Sequence, residues 1–291
     1  MEIVNVRSLH RRLQDAATTY YGSRFEDLDL NKQQQYLQLV DGFENGNPWS
    51  KRVKQVPHLR LRTPAFDHAR GLAEVTASIG DAFVPINLRN LEETRQLGPK
   101  NHAHWSAMAL VNYTPDSDRW FMKQSKEAAT LSHPELQPEA ASLISSAPRL
   151  NLEDMRYYRT DLYDKMPYIT DFISTHIADR TYRIFVWKIG HDGYLNWHNH
   201  ASLPWHKDLI TNDKAIVHIP LRSHPSIRML VRIDDKIYSQ YYEPGTTWLF
   251  NNINDHAVEN SSDVDRLHIV AFVPFDDVKF CRLLEESTAD V

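Results

Sequence analysis

From residue 181 the chain is written in short runs: "TYRIFVWKI", "AIVHIPL", "IRMLVRI", "KIYSQYY", "TTWLFNN" and "RLHIVAFV", each bounded by Gly, Pro, Asn or Asp. Many alternate apolar with polar residues, the period of a half-buried strand. In "RIDDKIY" the pair Asp234-Asp235 stands between two such runs, the turn chemistry of a hairpin. Several short strands at close spacing argue for a sandwich, a barrel or a jelly roll.

Upstream the texture differs. Residues 5–21 and 28–43 read as helices, with Tyr36, Leu37, Leu39 and Val40 on one apolar face. "GFENGNPWS" breaks that pattern, and "AFVPINL" and "HWSAMALVNY" read as strands. Residues 114–160 are polar and proline-bearing, which predicts long connections with short helices. The expected organisation is a mostly helical extension over 1–80 packed on a core domain over 81–291.

Composition bounds the function. With 291 residues, 42% hydrophobic and 24% charged, the chain can bury a sizeable core. The net charge of −5 and the absence of a Lys/Arg block give no reason to expect nucleic acid or an anionic membrane as partner. A single cysteine, Cys281, excludes an intramolecular disulfide and a Cys-rich zinc site. "MEIVNVRSLHRRLQ" has no apolar stretch of signal-peptide length, and the longest apolar run, "LHIVAFVPF", is far short of the ~20 residues that cross a bilayer. A cytoplasmic protein is expected.

The chemistry concentrates in "YLNWHNHASLPWHKD", residues 194–208. Two His and one carboxylate on one face of an octahedron, with the opposite face open, is the ligand set of redox-active non-haem iron. His206 and Asp208 lie two residues apart, so a strand end would point both to one side. His256, in "FNNINDHAVEN", is the best third ligand, 50 residues downstream. Ten residues past His256, Arg266 opens the run "RLHIVAFV". A buried guanidinium there wants a carboxylate, which its fork matches bidentately. A dicarboxylate chelating the metal at one end would find its anchor in Arg266.

These residues carry a resemblance. The tract 206–275, with "HKD", "AIVHIPL", "EPGTTWLFNNINDHAVEN" and then Arg266, is similar to the iron- and 2-oxoglutarate-dependent oxygenases, in the branch named after aspartyl/asparaginyl β-hydroxylase. Upstream, "TYRIFVWKIGHDGYLNW" extends it weakly. The resemblance implies a mainly β fold with flanking helices around a double-stranded β-helix (jelly-roll, cupin-like) core. It implies Fe(II) on His206, Asp208 and His256, 2-oxoglutarate on Arg266 with His218 beside it, and oxygen as co-reactant. The implied reaction is hydroxylation of a C–H bond in a small molecule or an amino acid, free or peptidyl. Two departures bear on substrate choice: the chain keeps Asp208, which the namesake enzymes lack, and has Ile216 where they carry an arginine.

A rival set remains. "G-x4-H-x-H" followed by "PG…H-x3-N" also resembles a cupin, with His198, His200 and His256 as ligands. That pattern expects a glutamate that "ASLPW" does not offer, and it leaves Arg266 without a role. His268 shares the face of Arg266, either as a supporting donor or as a core histidine. Trp197, Trp205 and Trp248 are expected to pack and Asn251, Asn252 and Asn260 to serve turns; "HAHW" (102–105) could reach substrate from an upstream strand, the lesser of its two readings.

Overall fold

The computed structural model describes residues 27, 29, 48–53, 55–85, 102–112, 115–118, 157–198, 214–252 and 254–289. The helices expected over 5–21 and 28–43 fall outside them apart from Asp29, and so do His200, His206 and Asp208.

Among the described residues, eleven strands form one antiparallel sheet. In chain order they are β1 (His58–Arg60), β2 (Val84–Pro85), β3 (His102–Asn112), β4 (Tyr158–Arg159), β5 (Arg183–His198), β6 (Lys214–Arg222), β7 (Ile227–Ile233), β8 (Lys236–Gln240), β9 (Trp248–Phe250), β10 (Asp255–Asn260) and β11 (Arg266–Pro274). The main path is β1-β9-β6-β11-β5-β10-β7-β8. Strand β5 turns it into two layers. Residues 183–189 pair with β11 and residues 194–198 with β10, so one strand serves both walls. The fold is a mainly β, jelly-roll-like barrel, as the strand cadence predicts.

The corner of β5 is Gly190-His191-Asp192-Gly193. Asp192 has φ +52°, and facing His104 on β3 has φ +56°. A Cβ on Gly190 would lie 3.1 Å from that of His104, so glycine lets the two strands approach here without either giving way. The expected hairpin is present: Ile233 pairs with Lys236 across Asp234-Asp235, and Asp234 takes φ +52°.

Strand β11 lies between β5 and β6 and is buried along its whole length. Period two then sorts its side chains. Leu267, Ile269, Ala271 and Val273 join the helical layer, where α2 (His68–Ile79) gives Val75, α3 (Pro167–His176) gives Phe172 and α4 (Val278–Thr288) gives Phe280. Short α1 (Pro48–Val53) adds Val53. Asp277 caps α4 by accepting from the Phe280 N–H, and its other oxygen accepts from the N–H groups of Asp179 and Arg180. The alternate set, Arg266, His268, Val270 and Phe272, faces the barrel interior. No helix among the described residues is long and apolar enough to cross a membrane.

Candidate active site

The interior holds two apolar clusters. One contains Phe185, Trp187, Ile216, Val270 and Phe272; the other contains Met229, Val231, Tyr242, Phe250 and Val258. Among them lie the buried polar residues His256, His218, His268 and Arg266.

Arg266, at the start of β11, is 0% exposed. Its Nη2 donates to His268 Nδ1 at 2.9 Å and approaches Met229 Sδ at 3.4 Å. Its Nε and Nη1 have no hydrogen-bond partner, and no carboxylate pairs with it among the described residues. Burial pushes its pKa down to about 9, partly opposed by nearby Tyr242. An arginine buried without an anion costs several kcal/mol of solvation.

The neighbouring imidazoles are neutral. Burial, and then the charge of Arg266, hold His268 and His218 well below the ordinary histidine range. A guanidinium only donates, so His268 Nδ1 accepts and its proton sits on Nε2. His218 Nδ1 lies 3.4 Å from His268 Nδ1. The Nε2 atoms of both are buried with no partner among the described residues. Tyr242 stacks parallel on Trp248 at 4.6 Å, and its hydroxyl lies 2.9 Å from His58 Nδ1 on β1. Burial raises that phenol well above its usual value.

His256 is the second residue of β10 and is 1% exposed. Its Nδ1 lies 2.9 Å from the carbonyl of Asn254. A carbonyl only accepts, so Nδ1 carries the proton and Nε2 the lone pair, the tautomer that ligates a metal. The carbonyl is itself placed: Asn254 N–H donates to Asn251 Oδ1, and Asn251 Nδ2 donates to the carbonyls of Val53 and Val56. Phe250 links the two ends of the stripe, with ring centroids 5.0 Å from His256 and 5.3 Å from His218.

Of the sequence-predicted residues, His218, His256 and Arg266 therefore line one interior. His206 and Asp208 lie outside the described residues. In backbone register His198 pairs with His256 across β5 and β10. Among the described residues no three His, Cys, Asp or Glu groups cluster as a metal site. Sequence reasoning missed Tyr242, His58, Met229 and Trp187. Trp187, the partner of His268 across β5 and β11, has its indole nitrogen buried with no hydrogen-bond partner among the described residues. Its place in the alternation Phe185-Trp187-Ile189 was the available signal. His104 is exposed beside the β5 corner. Asn260 is buried in the turn to β11, and Trp248 packs on Tyr242.

No protein-family model and no curated protein matches the chain. Solved structures do. A 2OG-Fe(II) oxygenase family oxidoreductase from Burkholderia pseudomallei is 13% identical, over 81% of this chain and 91% of that one, with a TM-score of 0.39. A prolyl-4-hydroxylase from Pseudomonas putida is 9% identical, over 80% and 99%, with a TM-score of 0.38. A cupin domain from Bordetella pertussis is 15% identical, over 32% and 79%, with a TM-score of 0.23. Likeness at these scores carries no chemistry, which rests on the side chains themselves.

Proposed function

We propose that the chain is an Fe(II)- and 2-oxoglutarate-dependent dioxygenase that hydroxylates an unactivated C–H bond of a small molecule or an amino acid, free or peptidyl. The single observation that supports it most is Arg266: fully buried and, among the described residues, without an anion and with two nitrogens unused. A dicarboxylate supplies what that guanidinium lacks, because its far carboxylate accepts from the unused N–H groups. His206, Asp208 and His256 would hold the metal, and the tautomer of His256 suits that role. When bound, iron supplies the oxygen activation that no side chain can perform.

The chain's own residues then bind, orient and dry the site. Arg266 with His218 fixes the inner end of the co-substrate. Phe185, Ile216, Val270 and Phe272 exclude water from one side of the interior. The protonated Nδ1 of His256, held by the Asn254 carbonyl, fixes the ring's orientation.

The test is anaerobic addition of Fe(II) and 2-oxoglutarate to metal-free protein, which should give a weak visible charge-transfer band. Asp208→Ala should abolish the band and substrate-dependent succinate release. A chain that binds Fe(II) yet gives no band would end this reading. The cupin-type alternative, on His198, His200 and His256 without an oxo acid, draws on the register that pairs His198 with His256. It requires His200→Ala to be inactive and Asp208→Ala to be active.

A further inference from the structure

We propose that Lys214, with Arg183 beside it, makes the rim of the barrel selective for a substrate that carries a carboxylate; this names the substrate class for the oxygenase reading and rests on it. One rung of the sheet runs His58-Phe250-Ile216-Phe272-Arg183 across β1, β9, β6, β11 and β5. The Phe250 ring of that rung lies 5.0 Å from the ring of His256, so the rung stands level with the candidate metal ligand. Lys214 opens β6 one inward step beyond Ile216 and pairs with Pro274. In sequence it follows Asp208 by six residues.

Phe272 is where the two cations meet. The Lys214 ammonium lies 5.7 Å from the centre of its ring and the Arg183 guanidinium 5.9 Å. Arg183 also lies over Phe185 at 4.5 Å, and its Nη2 donates to Asn112 Oδ1 at 3.5 Å, so its head is held against this wall. An aromatic face orients a cation without neutralising it. The acids that flank β5 and β11 at this end are engaged elsewhere. Asp276 pairs with Arg180, Asp179 pairs with Lys279, and Asp277 accepts from three backbone N–H groups. Lys214 has no carboxylate partner among the described residues, and its compact ammonium is suited to receive one. Arg266 lies six residues from Phe272 along β11, about 20 Å at the rise of a strand, so this is a second positive locus rather than the inner anchor. A carboxylate drawn to Lys214 leaves the carbon chain behind it to lie over Ile216 and Phe250, towards His256.

Calorimetric titration of the full metal-free chain tests this without turnover. The probes are straight-chain carboxylates of four to ten carbons and the primary amides of the same lengths. Wild type and Arg266→Met are both titrated, which separates binding at the inner anchor from binding at the rim. In Arg266→Met the acids should bind about 10-fold or more tightly than the amides. Adding Lys214→Met should abolish that preference, adding Lys214→Arg should keep it, and adding Lys214→Glu should reverse it in favour of alkylammonium ions. Arg266→Met protein with no preference for the acids overturns the proposal, and so does a preference that survives Lys214→Met. The visible band of Fe(II) with 2-oxoglutarate is read separately on wild type. Its absence beside a Lys214-dependent preference removes the oxygenase and keeps the carboxylate site; its presence without the preference does the reverse.

Discussion

Asn260 and Arg266 stand six residues apart at one end of the barrel, both polar and both buried to 1% or less. Asn260 is saturated. Its Nδ2 donates to the carbonyls of Ile189, Gly190 and Val264, and its Oδ1 accepts from the N–H and Oγ of Ser262. It ties the corner of β5 to the turn that launches β11. Arg266, at the far side of that turn, leaves Nε and Nη1 unused among the described residues. A buried polar group whose bonds are complete within the chain holds the fold. One whose bonds are incomplete among the described residues keeps donors open to a further group.

Opposite signs on stability are the sharpest way to break that contrast. Arg266→Met should weaken 2-oxoglutarate binding by about 100-fold or more, since two charge-assisted bonds are lost. The same variant should unfold at a higher urea concentration than wild type when no ligand is present, because an unpaired buried charge has been removed. A lower midpoint would mean that Arg266 is satisfied internally after all. Asn260→Ala should cost about 3 kcal/mol in urea unfolding by removing the side-chain donor to the buried carbonyls of Ile189 and Gly190. A loss near zero would erase the distinction between the two residues.

The third expectation concerns acid. Burial lowers the pKa of His58 from 6.5 to about 4. Between those values the unfolded chain binds a proton that the folded chain refuses, so stability falls as pH drops from 6.5 towards 4. The loss should be on the order of 2 kcal/mol, and His58→Gln should flatten the pH dependence of the urea midpoint. Smallest is Tyr242→Phe, which removes the bond to His58 and should cost about 1 kcal/mol.

The sequence disclosed the strands of the second half because turn residues bound each run and alternation marks the inward face. That face is visible in Arg266-His268-Val270-Phe272, and it places His268 beside the arginine before any coordinates are seen. Tyr242 and His58 were not legible, because they meet only when β1 pairs with β9, a contact across 184 residues. Nothing local in "SQYYEPG" or "VPHLR" announces it. The reach of Asn260 to Ile189 and Gly190 was hidden for the same reason: a turn asparagine and a three-acceptor brace look identical in one dimension.

Arg266 and His268 ride on β11, which is bonded to a strand on each flank and packed on both faces. Such a strand cannot step aside to let a molecule past without melting the domain around it. If the proposed co-substrate binds here, it must enter at the rim near His256, and Arg266 would be a fixed end-stop that sets how long it can be.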